Sequence, residues 1–188
     1  PSTAGFATPF LNQIKIVGED GSELGSNELG EVSIKSTCNF RCYLKNEEAT
    51  NEVLDDQGWF RSGDVGIIDE EGFLYIKDRI KDIVIRGGEN IACLEIEAAI
   101  YEHPSVREAS VFGVPDERLG EKLATRISLN AGAELSQADL SSFLAEKIAK
   151  FKIPECVWFQ ADELPKVAAG KIAKKQMREH AIKELELN

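Results

Sequence analysis

The spacing of the apolar residues changes near residue 80, and this change constrains the fold more than any other feature of the sequence. Before it, NQIKIV (12–17) and the alternating GEVSIKS (30–36) predict short strands, and NEEATNEVL (46–54) predicts a short helix. DVGIID and GFLYIKD flank an acidic turn at 69–72 and predict a hairpin. We therefore predict a small barrel-like or curled sheet in this first part of an α+β protein.

After residue 80, strand-like segments alternate with helical ones, which predicts a compact α+β unit. KLATRISL (122–129) predicts a strand with one apolar face, and Ser136 with Asp139 predicts a capped helix start. Apolar residues spaced by fours predict a last helix from about Lys171. The charged segment KDRIKD (77–82) lies between the two units and is a candidate hinge.

The composition excludes several functional classes. Thirty-three acidic residues against 22 basic ones give a net charge of −11, which argues against a nucleic-acid or anionic-membrane surface. No apolar run approaches the roughly 20 residues that cross a bilayer, so no transmembrane segment is predicted. Without a visible signal peptide or lipidation motif, we expect a cytoplasmic protein.

The cysteines indicate the redox compartment, and the first residue bears on whether the chain is complete. Four cysteines are scattered along the chain without a second metal-like pair, which favours free thiols over a metal site or a disulfide framework. The chain starts at Pro1, and its only methionine is Met177. We therefore expect it to be a piece of a longer polypeptide.

Asp64 is the first candidate site residue, in GWFRSGD (58–64). A carboxylate after Ser-Gly at the start of a strand can accept two hydrogen bonds from a vicinal diol, such as a nucleotide ribose. On this stretch alone, an aspartate that caps its own turn is the favoured interpretation.

Two further segments carry candidates. Gly87 and Gly88 permit close backbone approach to a ligand, although an ordinary hairpin turn explains them equally well. Lys171 follows Ala-Ala-Gly and could neutralise a phosphate or carboxylate. It could also be the first of several lysines on a solvated helix face, which is the favoured interpretation of that segment alone.

Five collinear motifs together are more specific: GWFRSGD, DRIKDIVIRGGENI with LEIE, HPSVREASVFGVPDERLGE, KFKIPE and LPKVAAGKIAKK. In this order they resemble the C-terminal portion of the adenylate-forming superfamily, over almost the whole chain. The resemblance implies an enzyme that makes an acyl-adenylate from a carboxylic acid and ATP, and then transfers the acyl group to a thiol. It also implies that residues 1–80 end a large adenylating domain and that 81–188 form a mobile C-terminal domain.

The same resemblance implies a role for each candidate residue. Asp64 would bind the ribose hydroxyls with Arg79 beside it, and Lys81 would be the hinge between the domains. The Gly87–Gly88 turn would face the pantetheine channel. Lys171 would bridge the substrate carboxylate and the α-phosphate during adenylation.

Two positions depart from the family pattern, since Ala169 replaces a frequent Ser or Thr and Cys93 replaces a frequent proline. Neither removes a charge that the reaction needs. The family's phosphate loop and acyl pocket lie upstream and are missing here. We therefore expect Mg²⁺ and the ATP phosphates to be bound mainly by that upstream part, and the chain alone to be inactive.

IVIRGGENI resembles acyl-CoA synthetases more than peptide-synthetase adenylation domains, which favours coenzyme A as the acceptor. A medium- or long-chain fatty acid is the expected substrate because such enzymes are numerous. A carrier-protein thiol is an alternative acceptor, and a non-catalytic nucleotide-binding or docking module is an alternative of another class. The sequence leaves the acid and the oligomeric state open.

Overall fold

The computed structural model describes residues 3–8 and 10–186. The chain divides into two compact units, Pro1–Lys81 and Asp82–Asn188. Each unit has its own sheet and its own apolar core. The mixed α+β class predicted from the sequence is confirmed.

The first unit is a four-stranded antiparallel sheet in the order β1-β2-β3-β4. Its strands are β1 (Asn12–Val17), β2 (Gly30–Ser36), β3 (Trp59–Ile68) and β4 (Leu74–Arg79), and helix α1 (Glu47–Val53) lies between β2 and β3. A small apolar cluster around Ile16, Val32 and Leu74 forms its core.

The barrel-like closure expected for this unit does not form among the described residues, where β1 and β4 are the edges of an open sheet. The physical reason is the number of strands. Even a small barrel such as the OB-fold uses five strands, and the sheet formed by the described residues has four. The predicted hairpin is confirmed as the antiparallel pairing of β3 with β4.

The second unit has a five-stranded sheet built around one long central strand. Its strands are β5 (Ile83–Arg86), β6 (Glu89–Ala92), β7 (Val106–Asp116), β8 (Gly120–Leu129) and β9 (Cys156–Gln160). β8 pairs with β7 along most of its length, while β5 and the parallel strand β9 share its other edge.

Helices cover both faces of this sheet. Helices α2 (Cys93–Tyr101) and α3 (Gln137–Ala145) share one apolar cluster with Val111, Leu123 and Ile127 of β7 and β8. Helix α4 (Lys174–Glu186) packs on the opposite face, where it shares a second cluster with Phe112 and Ala124. The central strand is therefore buried on both sides.

Two local predictions for this unit have different outcomes. The Ser136 hydroxyl accepts a hydrogen bond from the Asp139 amide at 3.1 Å, which confirms the predicted start of α3. The last helix begins at Lys174 and not near Lys171, because a hairpin occupies the residues before it. None of the helices in the described part of the chain is long and apolar enough to cross a membrane.

Candidate active-site residues

Asp64 lies on β3 directly opposite Arg79 of β4. Oδ1 of Asp64 is 3.2 Å from Nε of Arg79, and the Asp64 side chain remains 35% exposed. The Asp64 amide donates to the Ser62 hydroxyl at 3.1 Å. The carboxylate is therefore held by a strand pairing and a cation, and it can still accept hydrogen bonds from a ligand in solvent.

A buried carboxylate on the neighbouring strand supports the irregular part of β3 just before Asp64. Glu31 accepts hydrogen bonds from Nε of Arg61 at 2.7 Å and from the Gly63 amide at 3.1 Å. Gly63 has φ of +72°, a left-handed conformation that glycine adopts readily. No motif of the sequence indicates Glu31. The one feature of the sequence that could have indicated Glu31 is its place next to Val32, an inward-facing residue of β2.

A cleft of about 380 Å³ opens beside these residues within the first unit. Its lining combines aromatic and apolar side chains with charged ones: Glu31, Tyr43, Glu52, Val53, Phe60, Arg61, Ser62, Gly63, Arg79, Ile80 and Lys81. Aromatic faces together with charged groups suit a nucleotide, which has both a flat base and polar hydroxyls.

Lys81 lies at the end of the first unit, in a single 3₁₀ turn that spans Ile80–Asp82. Its side chain is exposed. One short turn with an exposed middle residue leaves few interactions to break when backbone angles change. The position of Lys81 at the unit boundary is compatible with the hinge role implied by the family resemblance, which stays a prediction.

Gly87 and Gly88 form the two-residue turn between β5 and β6. Their φ angles are +60° and +90°, as a type I′ hairpin turn requires at both positions. A Cβ on Gly88 would meet open space, whereas one on Gly87 would approach the Leu119 side chain at 3.3 Å. Backbone conformation explains the glycine pair locally, and the open space leaves the turn accessible to a ligand.

Lys171 directly follows the loop of a small hairpin. The carbonyl of Val167 accepts from the Gly170 amide and the Val167 amide donates to the Lys171 carbonyl, each at 2.8 Å. Gly170 has φ of +78°, the left-handed residue that ends a three-residue hairpin loop. The Lys171 side chain is exposed, so its backbone is fixed while its ammonium is free to meet a ligand.

Ion pairs hold the base of this hairpin. Nζ of Lys166 lies 2.8 Å from Oε1 of Glu108 and 2.8 Å from Oε2 of Glu163. The hydrogen bond from Lys166 lowers the pKa of Glu108, and the bond to Glu108 raises the pKa of Lys166. Next to this pair, Leu164 is buried in the same apolar cluster as α4.

The lysines after Lys171 are not equivalent. Lys175 is 92% exposed at its side chain, as a surface lysine should be. Lys174, predicted to be on the surface, is only 20% exposed and lies 2.9 Å from Oε1 of Glu97. The prediction was wrong for Lys174 because Glu97 of α2 and Asp82 lie against the first turn of the helix, and such contacts leave no local pattern in the sequence.

The cysteines form no disulfide, and Cys93 is buried while Cys38 and Cys42 are exposed. Within residues 3–8 and 10–186, no group of three or more His, Cys, Asp or Glu side chains could hold a metal ion.

The structure brings Asp64 and Arg79 into direct contact, whereas Gly87, Gly88 and Lys171 occupy two separate turns of the second unit. An exposed cation on a fixed turn suits the neutralisation of an anion. A carboxylate beside a cleft suits the binding of hydroxyl groups.

The family profile of the AMP-binding enzyme C-terminal domain matches residues 95–171. The chain is 42% identical over 177 residues to the long-chain-fatty-acid–CoA ligase FadD13 of Mycobacterium tuberculosis, which covers 94% of this chain and 34% of that protein. ATP-bound MatB from Rhodopseudomonas palustris matches with a TM-score of 0.87 and 35% identity, over 97% of this chain and 36% of MatB.

A third similar protein is the o-succinylbenzoate CoA synthetase MenE of Bacillus subtilis, solved with its acyl-adenylate intermediate. It matches with a TM-score of 0.83 and 34% identity, over 90% of this chain and 34% of MenE. The chain spans about a third of the length of the curated relatives that it matches. It belongs to the adenylate-forming superfamily and corresponds to the C-terminal portion of its acyl-CoA ligases.

Proposed function

We propose that this chain is the C-terminal part of an ATP-dependent carboxylic acid:CoA ligase. The observation that carries the proposal is its 42% identity, over 94% of its length, to a protein named as a fatty-acid–CoA ligase. The exposed Lys171 and the Asp64–Arg79 pair support it, because they offer the charges that such a reaction needs.

In the first half-reaction, a carboxylate oxygen of the acid bonds to the α-phosphorus of ATP and pyrophosphate leaves. Two anions must approach each other for this bond to form. The Lys171 ammonium would sit between them and neutralise the charge that concentrates there. Asp64 would accept hydrogen bonds from the ribose hydroxyls, and Arg79 would keep the Asp64 carboxylate in place.

In the second half-reaction, the thiol sulfur of coenzyme A bonds to the acyl carbon and AMP leaves. The Gly87–Gly88 turn would face the pantetheine arm, since its outer side has no side chain and meets open space at Gly88. Lys81 would be the hinge about which residues 82–188 turn between the two steps. A lysine that is needed in one step alone is suited to a domain that moves between steps.

Mg²⁺ and the triphosphate would be held mainly by an upstream part of the enzyme, as the family resemblance implies. The acid would also be chosen upstream. FadD13 is named for a long-chain fatty acid and MenE for o-succinylbenzoate, although both match this chain closely. We propose a medium- or long-chain fatty acid, in line with the name of FadD13.

The test uses a polypeptide that carries the upstream two thirds typical of the relatives. Carboxylate-dependent ATP–pyrophosphate exchange is measured across a panel of acids, while coenzyme A consumption is followed in parallel. Exchange with coenzyme A loss would support the ligase and identify its acid. Exchange without coenzyme A loss would favour a carrier-protein thiol as acceptor, and no exchange with any acid would contradict the proposal.

A non-catalytic nucleotide-binding module is the second candidate. The 380 Å³ cleft beside Arg79 lies entirely within the first unit, so it could bind a nucleotide without an upstream part. Titration of the 188-residue chain with AMP would distinguish the two. Tight binding by this chain, together with an absence of exchange in the longer polypeptide, would favour the module.

A further inference from the structure

Lys174 has an unusual environment for a lysine at the start of a helix. Its Nζ lies 2.9 Å from Oε1 of Glu97 on α2 and 3.8 Å from Oδ2 of Asp82. Its side chain is 20% exposed, whereas that of its neighbour Lys175 is 92% exposed. The first turn of α4 therefore contains one enclosed cation and one solvated cation.

Helix stability does not explain this arrangement. The first turn of α4 contains no acidic residue, and a cation at a helix N-terminus is repelled by the helix dipole. Burial is the largest single influence on Lys174 and disfavours its charged form, but Glu97, Cys93 and Asp82 together outweigh burial and the pKa of Lys174 is raised. The tertiary contacts, rather than the helix, thus keep this charge in place.

The contacts of Lys174 join three segments of the second unit. Glu97 is itself fixed, because its Oε1 accepts a hydrogen bond from the Val111 amide of β7 at 2.8 Å. Asp82 directly follows Lys81, the proposed hinge residue. Lys174 is thus linked through Glu97 to β7, and it lies close to Asp82, the first residue after Lys81.

Lys174 is also coupled rigidly to the hairpin that carries Lys171. Ile172 pairs with Lys166 across the hairpin, and the Ala173 amide donates to the Pro165 carbonyl at 2.8 Å. The Lys174 amide donates to the Ile172 carbonyl at 3.0 Å. Ile172 and Ala173, the two residues between Lys171 and Lys174, are both held by backbone interactions. A displacement of Lys174 would therefore also displace Lys171.

We infer that Lys174 is a positioning residue for Lys171. Its ammonium connects the Lys171 hairpin to Glu97 of α2 and to Asp82, the residue that follows Lys81. The position of Lys171 is therefore fixed relative to these two segments. The inference deepens the proposed function and rests on it for the catalytic consequence. Its structural half, the fixing of the hairpin by Lys174, is independent of any activity.

The first experiment measures the hairpin in the 188-residue chain. Hydrogen exchange of the Val167, Gly170 and Ala173 amides is compared among the wild type, Lys174→Met and the matched control Lys175→Met. Faster exchange is expected in Lys174→Met alone, because it removes the enclosed ammonium and keeps a side chain of similar length. Equal exchange in the two variants would overturn the inference.

The second experiment measures the two half-reactions in the longer polypeptide. Lys174→Met should slow adenylation by about tenfold or more through misplacement of Lys171, and leave thioester formation from supplied acyl-adenylate within about twofold. Lys174→Arg should recover adenylation, because it restores a cation between Glu97 and Asp82. An equal loss of both half-reactions, or no recovery by arginine, would overturn the positioning role.

The two proposals can fail separately. If the longer wild-type polypeptide shows no ATP–pyrophosphate exchange with any acid, the proposed ligase function is wrong. Hydrogen exchange of the hairpin amides then decides alone whether Lys174 fixes the hairpin. If the wild type is active and Lys174→Met matches Lys175→Met in both half-reactions, the ligase function stands and the inference is wrong.

Discussion

At the scale of single residues, Lys171 combines a fixed backbone with an exposed side chain. Its carbonyl and the neighbouring Gly170 amide are both hydrogen-bonded, so the turn itself has little freedom. The four-carbon stem of lysine then supplies the motion needed to reach a ligand. The turn thus limits how far the Lys171 ammonium can move, while that ammonium stays exposed to solvent.

Replacement of Lys171 by alanine should slow adenylation by about 100-fold or more, since the loss of one group that stabilises transition-state charge costs roughly that much. Thioester formation from supplied acyl-adenylate should be spared. ATP–pyrophosphate exchange and thioester formation measure the two steps separately. The matched control is Lys175→Ala, at a 92% exposed lysine; an equal loss of both steps in Lys171→Ala would refute the assignment.

Replacement of Asp64 by alanine should raise the KM for ATP about tenfold, because hydrogen bonds to a charged group contribute roughly 1.5–3 kcal/mol. Stability should change little, since the Asp64–Arg79 ion pair is largely exposed. Initial rates at varied ATP and a thermal unfolding curve provide both measurements. Asp20→Ala is the control, because Asp20 accepts hydrogen bonds from Ser22 at an exposed turn. An unchanged KM would mean that Asp64 does not bind ATP.

At the scale of elements, the hairpin before α4 depends on the ion pair between Lys166 and Glu108. The Glu108 carboxyl also accepts a hydrogen bond from the buried Leu164 amide at 2.8 Å. One carboxylate thus holds both a charged side chain and the backbone at the base of the hairpin. Protonation of that carboxylate would weaken both contacts.

The pKa of Glu108 is lowered in the folded chain, chiefly by the hydrogen bond from Lys166, from an ordinary value of 4.5. Its contribution to stability is therefore fully present above pH 4.5 and is lost as the pH falls through the lowered pKa. Thermal unfolding followed from pH 7 down to pH 3 should show a steeper loss of stability in the wild type than in Glu108→Gln. Parallel curves would contradict this prediction. Glu163→Gln, at the more exposed partner of Lys166, is the control.

The strands and the helices were largely predictable because their patterns are local. Period-two alternation identified β2, and the spacing of Ser136 and Asp139 identified the start of α3. The start of α4 was not predictable in this way. The same apolar spacing continues back to Ala173, and only the pairing of Lys166 with Ile172 shows that the chain has turned into a hairpin.

The candidate site was predictable only in part. The motifs indicated Asp64, Arg79 and Lys171, because these residues belong to recognisable local segments. Glu31 and Glu97 were missed, since their importance comes from partners 30 and 14 residues away in the chain. A contact between distant segments leaves no local pattern that a single sequence can reveal.

At the scale of the whole molecule, the two units differ in how much apolar surface they enclose. The second unit has two buried clusters, one on each face of its sheet. The first unit has one cluster around three buried residues, while Phe6, Phe10 and Leu44 are strongly exposed. The second unit therefore has the larger core of its own.

Residues 82–188, expressed alone, should unfold cooperatively on heating, because both faces of the central sheet are covered within that range. Residues 1–81 alone should unfold at a temperature lower by about 10 °C or more, since burial of apolar surface is the main stabilising contribution. Circular dichroism of the two separate units tests both expectations. A gradual, non-cooperative transition of residues 82–188 would contradict the first.

The double burial of β8 also has a consequence for tolerance to mutation. Replacement of Leu123 by alanine would leave a cavity and cost about 2–5 kcal/mol of stability. Replacement of Ala124 by a larger residue would crowd the apolar cluster that contains Met177. The strand therefore has no permissive side along this stretch. The turn at 167–171 differs, because its side chains are exposed to solvent. Substitutions there should be tolerated except at Gly170, which has a positive φ, and at Lys171. Selection on this unit would thus fall on a strand of the core as heavily as on the residues that we propose to meet ligands.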